Sequence, residues 1–298
     1  MFLHTNNKGF FRWAIVIGIV IALLCAIGYV LFKKASPEHR PKVAQPLVKP
    51  PKKPVPPVPL KPPVVKRQPG TVGRITIVID DWGYNNSHCR YLASIPASVG
   101  VAILPALPYS RDIIRCAEQN GKEPMLHLPL EPFNLKEIYQ KGYVLTTQMG
   151  ASELRKTMLK ILDEMNGVVG INNHTGSKGS ESELLMTTVL TETRKRGLFF
   201  VDSVTSDRTV GGKVAAKLKM HIAKRDVFLD NRNDRSAIER QFAETAQIAR
   251  TNGYALAIGH DRALTLQIII EQMKKLSDQG YEFISPSEYI KKNEYPRY

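Results

Sequence analysis

Residues Ile75 to Asp81 read ITIVIDD, five apolar or β-branched residues followed by two aspartates. A short run without polar alternation is the pattern of a strand covered on both faces, as in a parallel sheet with helices packed outside it. The paired acids then stand where such sheets carry their chemistry, on the loops that leave the carboxyl ends of strands.

The same pattern recurs along the chain. Further strand candidates are SVGVAIL at 98–104, PMLHL at 124–128, VVGIN at 168–172, LFFVD at 198–202, VFLD at 227–230, YALAI at 254–258 and YEFIS at 281–285. Longer amphipathic stretches separate them, which predicts an α/β chain with helical crossovers, and eight such strands suit a barrel. Two helices have readable ends. In the stretch 182–196, Ser180 and Glu183 have capping-box spacing and Gly197 is a natural stop; in 237–252, Ser236 and Glu239 repeat the relation and Gly253 terminates. The stretch 130–150 has no strong period and reads as an excursion over one end of the barrel.

Composition bounds the rest. With 298 residues and 43% hydrophobic content, the chain is neither a small disulfide-stapled module nor a disordered polymer. The formal net charge of +15 is uneven: residues 1–74 hold 13 Lys+Arg and one acid, whereas the remainder holds 29 basic and 26 acidic residues. A nearly neutral body with no basic stripe or binding motif argues against nucleic acid as a partner. Cys89 and Cys116 fall in separate helix candidates, where a bridge is allowed but not forced. His39, His88 and His221 read as surface or helix residues. The basic run Lys213, Lys217, Lys219, Lys224 and Arg225 reads as a solvated helix face and the loop beyond it.

The basic leader divides in two. Residues 14–32, AIVIGIVIALLCAIGYVLF, run without a charge, about 28 Å as a helix and close to the thickness of a bilayer core. Flanking aromatics and the absence of a small-x-small cleavage site favour an uncleaved anchor over a signal peptide. Residues 33–72 follow as a Pro/Lys-rich linker, a semi-rigid polyproline spacer. Counting positive charges alone would leave the body in the cytoplasm, but a spacer suits a body that reaches something beyond the bilayer. The expected organisation is a short tail (1–13), a transmembrane anchor (14–32), the linker (33–72), the barrel (73–290) and a short tail (291–298). The expected location is the cytoplasmic (inner) membrane, with the barrel on the periplasmic, outer side.

The strand ends carry Asp80-Asp81, His127 with Glu131, Asn172-Asn173-His174, Asp202-Ser203 and His260-Asp261. One such residue would read as a helix cap or a satisfied core group. Five ends rich in acids and imidazoles point instead to a metal site, because buried groups of this kind are unfavourable unless paired or metal-bound. Asp81, His127 and His174 form an Asp-His-His set that leaves positions open for water and substrate. Zinc leads among the divalent ions, with cobalt, nickel and manganese as alternatives. Glu131, Asn172 and Asn173 are further candidates for the ion or for holding its ligands. Trp82 is placed either to stack on a ring of the substrate or to close the barrel end.

The IDD strand end, the HLPLEP segment, the INNHTGS turn, the FVDS strand end and the IGHD ending together resemble the divergent polysaccharide deacetylase family, over roughly residues 73–289. The resemblance implies a distorted seven- or eight-stranded (β/α) barrel that removes acetyl groups from sugar polymers such as peptidoglycan-type glycans. It implies Asp80 as general base, Asp81 as metal ligand and His260 as general acid. The sequence departs from the ordinary deacetylase pattern where Glu131 replaces a second metal-binding histidine, and where the INNHTGS turn replaces an arginine and proline motif. His174 is expected to restore the missing imidazole, Asp202 to orient His260, and the Thr175-Gly176-Ser177 turn to contact the substrate oxyanion. The competing readings are a catalytically silent, membrane-anchored glycan binder or envelope scaffold, and a metal-dependent phosphoesterase. Against the latter stands the lack of a second ligand cluster and of a Gly-rich phosphate loop.

Overall fold

The computed structural model describes residues 70–134, 136 and 142–291. The expected anchor, residues 14–32, and nearly all of the linker lie outside the described residues. No helix among the described residues is long and apolar enough to cross a membrane.

Strands follow as β1 (Gly73–Trp82), β2 (Gly100–Ile103), β3 (Glu123–Leu130), β4 (Gly170–Thr175), β5 (Phe199–Asp202), β6 (Ala223–Lys224), β7 (Val227–Phe228), β8 (Tyr254–His260) and β9 (Tyr281–Phe283). The helices are α1 (Cys89–Ser94), α2 (Ser110–Gln119), α3 (Ala151–Glu164), α4 (Glu183–Lys195), α5 (Gly211–Lys217), α6 (Arg235–Asn252), α7 (Ala263–Asp278) and α8 (Pro286–Lys291). The strands pair in parallel in the order β6-β5-β4-β3-β2-β1-β8-β7. Residues 223–228 serve both ends of that order: Ala223 pairs with Val201 of β5, and Val227 pairs with Ala257 of β8. The result is a curled parallel sheet, an α/β fold consistent with a (β/α) barrel.

Side-chain alternation sorts the core into two layers. Ile75, Ile77 and Ile79 of β1 pack outward with helix residues such as Leu92, Ile113, Ile238 and Ile269. Val78 packs inward with Ala102, Met125, Leu256 and Ile258, closed at the amino end by Ile284 and Tyr289. Both faces of β1 are therefore covered, which is why its apolar run is unbroken. Each fully buried branched side chain contributes about 1.5–3 kcal/mol. Toward the carboxyl ends the inward row turns polar: two residues beyond Val78, Met125, Gly170 and Ile258 stand Asp80, His127, Asn172 and His260.

Several local expectations are corrected. The last strand candidate, at 281–285, forms β9 and pairs only with the first residues of β1, from Gly73↔Tyr281 to Ile75↔Phe283, at the end away from the polar row. Helix α4 is capped by Ser182, whose Oγ accepts from Leu185 N at 3.3 Å, and not by Ser180. Helix α6 is capped by Asp234, which accepts from Ala237 N at 2.9 Å, while Ser236 donates to that same carboxylate. Gly253 ends α6 with φ 90°, a left-handed position that glycine takes without a Cβ penalty. Cys89 and Cys116 form a disulfide between α1 and α2.

Candidate active site

Successive strand residues normally face opposite sides of a sheet, yet Asp80 and Asp81 both face inward. The register of β1 against β2 shifts between Ile79 and Trp82, and Asp81 adopts φ 66°. This bulge at the strand end re-aims one side chain. Asp81 Oδ1 then lies 3.3 Å from His127 Nε2, and Asp80 Oδ2 lies 3.6 Å from the same nitrogen.

His174, at the end of β4, completes a triangle. Its Nδ1 is 3.2 Å from Asp81 Oδ1 and 3.0 Å from His127 Nε2. One ligand atom from each residue lies within 4.8 Å of the others. Asp81 Oδ1 is buried and has no hydrogen-bond partner, a costly state for a carboxylate oxygen unless a cation meets it. Tetrahedral zinc held at ~2.0–2.1 Å requires ligand atoms about 3.3 Å apart, close to the observed edges. The donor set and its spacing fit such an ion. Burial pushes the Asp81 carboxyl up, but the two imidazoles outweigh it and hold the group below the usual carboxylate range.

Asn172 fixes the chemistry of this triangle. Its Nδ2 donates to Asp80 Oδ1 at 2.8 Å, which leaves Oδ1 to accept from His127 Nδ1 at 2.8 Å. His127 is thereby a donor at Nδ1, and its Nε2 faces Asp81 and His174. Burial raises the Asp80 carboxyl above its ordinary value, against the opposing charges of His127 and His260.

His260 ends β8 opposite Asp80 in the strand register. The expectation that Asp202 orients it is corrected: Asp230 does, with His260 Nδ1 at 2.6 Å from Asp230 Oδ1. Val201 faces the inner core, so Asp202, one residue on, faces away from the site. There its carboxylate accepts from Val204 N and Thr209 Oγ1, both at 2.8 Å. Asp230 is itself held by Thr265 Oγ1 at 2.7 Å. Burial lowers the His260 imidazole, but its hydrogen bond to Asp230 and that residue's charge outweigh burial and leave it raised. The VFLD strand candidate ended on Asp230, so the same strand-end logic could have found it.

The remaining candidates have structural partners. Glu131 contacts neither the ion position nor His127: it accepts from Thr147 N and Oγ1, both at 2.7 Å, and from Lys178 Nζ at 2.8 Å. Asn173 Oδ1 accepts from Ser203 N at 2.9 Å, and its Nδ2 donates to Thr205 Oγ1 at 3.2 Å. Thr175 Oγ1 donates to Leu130 O at 2.8 Å, and Ser177 Oγ accepts from Phe133 N at 3.0 Å. Trp82 is fully buried in the outer core, between the sheet and the helices, which leaves no face of its ring open to a sugar. His88, read as a surface or helix residue, stands at the start of α1 and holds Asp261 with Nδ1 at 2.6 Å from Oδ1. Lys213 and Lys217 pair with Glu183 as exposed groups, but Arg225 departs from the solvated reading: it lies over the Phe228 ring at 3.7 Å and donates to Ser203 O and Val204 O.

Comparison with known proteins agrees with this architecture. A protein of Haemophilus influenzae is 32% identical over 205 residues, covering 69% of this chain and 72% of its own length. The protein YibQ of Escherichia coli is 32% identical over 208 residues, covering 70% of this chain and 65% of its own. Both are described as uncharacterised. Among solved structures, an uncharacterised protein of Agrobacterium tumefaciens C58 shares the fold with a TM-score of 0.70 at 20% identity, over 74% of this chain and 91% of that one. Residues 77–290 match the family described as divergent polysaccharide deacetylase, and the chain belongs to that family.

Proposed function

We propose that this chain is a divalent-metal-dependent hydrolase that removes N-acetyl or O-acetyl groups from an envelope glycan of the peptidoglycan type. The observation that carries this reading is the convergence of Asp81, His127 and His174 within 3.0–3.3 Å of one another, beside the buried carboxyl of Asp80. One carboxylate and two imidazoles suit zinc, with cobalt, nickel or manganese as alternatives. With an ion bound, the site would gain a Lewis acid for the acetyl carbonyl and a lower pKa for water. Asp80 takes the proton of the attacking water. The water oxygen joins the acetyl carbon, the bond to the sugar nitrogen or oxygen breaks, and His260 returns a proton to the departing group. Acetate and a free amine or alcohol result. Asp230 favours the protonated form of His260 and orients it for that step, and Asn172 holds Asp80 and His127 at fixed separation.

The same proposal puts the barrel outside the cytoplasmic membrane, on a single-pass anchor of residues 14–32 and the Pro/Lys spacer. The Cys89–Cys116 disulfide supports an oxidising compartment such as the periplasm.

Acetate release from N-acetylglucosamine oligomers, together with metal analysis of the purified protein, tests the reading. The expected result is bound metal, acetate release, and an Asp80→Asn variant that keeps the metal but loses hydrolysis. Oligomer binding without acetate release under zinc, cobalt, nickel or manganese would make the chain a silent glycan binder. Hydrolysis that survives loss of the metal would overturn the assignment of roles.

A further inference from the structure

Among the described residues, five large hydrophobic side chains are exposed: Tyr84 at 52%, Tyr109 at 36%, Phe133 at 58%, Val169 at 41% and Leu184 at 50%. The three aromatic ones share a location. Tyr84 follows the end of β1, Tyr109 the end of β2 and Phe133 the end of β3, so all three stand at the end of the sheet that carries Asp81, His127 and His174. Because β3, β2 and β1 are neighbours, these loops follow one side of the site in the order Phe133, Tyr109, Tyr84. At a strand spacing of about 4.8 Å, they leave the sheet over roughly 10 Å, the length of about two sugar rings in an extended chain.

The loops are fastened at both ends. Gly83 O accepts from Tyr109 N at 3.1 Å, which joins the β1 loop to the β2 loop. Phe133 N donates to Ser177 Oγ at 3.0 Å, which joins the β3 loop to the β4 turn. Beyond Tyr84, Asn85 Oδ1 accepts from Ser87 N at 3.0 Å, His88 holds Asp261 at 2.6 Å, and Cys89 is bridged to Cys116. A loop tied down in this way presents its side chain without a large ordering cost on binding.

We infer that Tyr84, Tyr109 and Phe133 form a stacking rim that binds the sugar rings flanking the one whose acetyl group is removed. The inference rests on the glycan reading above and extends it to an extended pyranose chain as the ligand. Three rings on three separate loops, with the exposed polar residues Asn86 and Ser87 beside Tyr84, do not make the continuous apolar patch of a protein interface. They do match a ligand with alternating apolar ring faces and polar edges, for which aromatic side chains supply both contacts.

The test is affinity of the full-length, zinc-loaded protein for N-acetylglucosamine oligomers of two to five sugars, by rapid fluorescence titration before hydrolysis proceeds. The expected result is tighter binding with each added sugar. Tyr84→Ala and Phe133→Ala should each lose about tenfold in affinity for the pentamer, an effect of the size aromatic contacts supply. Tyr84→Phe, which keeps the ring, should retain the affinity and so separates stacking from misfolding. Alanine variants that bind the pentamer as tightly as the parent would overturn the rim and leave the hydrolase reading standing. A parent protein that neither binds the oligomers nor releases acetate overturns that reading, and the rim with it.

Discussion

Asn172 donates to Asp80 across 2.8 Å, and the other end of the same amide accepts from His127 at 2.8 Å. One side chain thus sets the distance between the proposed base and a proposed metal ligand, and fixes the tautomer of the imidazole. An alanine at this position would leave the buried Asp80 carboxyl without this donor and His127 free to rotate. Asn172→Ala is therefore expected to weaken zinc affinity about 10–100-fold and to lower kcat/KM, with the fold intact. Calorimetric zinc titration checks it, and unchanged affinity would remove Asn172 from the positioning role.

His174 and Glu131 were both candidates for the ion, and the geometry separates them. His174→Ala should abolish stoichiometric zinc binding, because it removes one corner of the triangle. Glu131→Gln should keep zinc but destabilise the protein by about 1–3 kcal/mol, because the neutral amide can still accept from Thr147 but loses the charged hydrogen bond with Lys178. Metal content and urea unfolding of the two variants decide this. A Glu131→Gln protein that loses its zinc at full stability would reverse the two roles.

The Asp230–His260 pair sets an expected pH limb. As an acid, His260 must be protonated, so the rate falls as pH rises through its pKa. The hydrogen bond and negative charge of Asp230 raise that pKa despite burial. Asp230→Asn removes the charge and should move the alkaline limb of kcat/KM to lower pH. A limb that stays in place would detach the pair from the alkaline side of the profile.

Much of this arrangement was legible in the sequence, for a definite reason. The ITIVIDD run and its companions are strands covered on both faces, and chemistry in such folds gathers at their carboxyl ends; ligand chemistry then singles out Asp81, His127 and His174 among the polar residues there. Alternation within a strand was not carried through to the last residue. Asp202 follows the inward Val201 and so faces away, whereas Asp230 lies two beyond Phe228 and reaches His260. The bulge that lets Asp80 and Asp81 share one side is a backbone event with no signature in residue type. Glu131, four residues beyond His127, is a candidate for the ion or for holding its ligands on sequence alone, but the return of the chain at Leu145, which pairs with Leu130, gives it Thr147 as a partner. Ser180 and Ser182 both offer a cap to α4, and only the path of the preceding turn selects between them.

The Cys89–Cys116 bridge closes a loop across a sequence separation of 27. Chain entropy for a loop of that length gives a stabilisation of about 3–4 kcal/mol. Unfolding in urea with and without reductant should differ by that amount, and a Cys89→Ser, Cys116→Ser double variant should show no reductant effect. Equal stability in both conditions would mean that the bridge contributes nothing to the folded state.

Asp226 lies where residues 223–228 pass from β5 to β8, and its backbone N–H and carboxylate engage the O and N of Leu256, each at 2.8 Å. Burial raises its carboxyl above the ordinary 3.8, against the Leu256 N–H and the charges of Lys224 and Arg225. A folded pKa above the unfolded one means that the folded state holds the proton more tightly. The stability this provides is full below the unfolded pKa and is lost as pH rises through the folded one. Asp226→Asn keeps an acceptor for Leu256 but cannot ionise. Relative to the parent, the variant should gain stability as pH rises from about 3 toward neutrality and level off above the raised pKa, with Tm moving about 2–4 °C per kcal/mol. Thermal unfolding of both proteins across that range measures the difference. A gap that stays constant with pH would show that Asp226 titrates alike in the folded and unfolded chains.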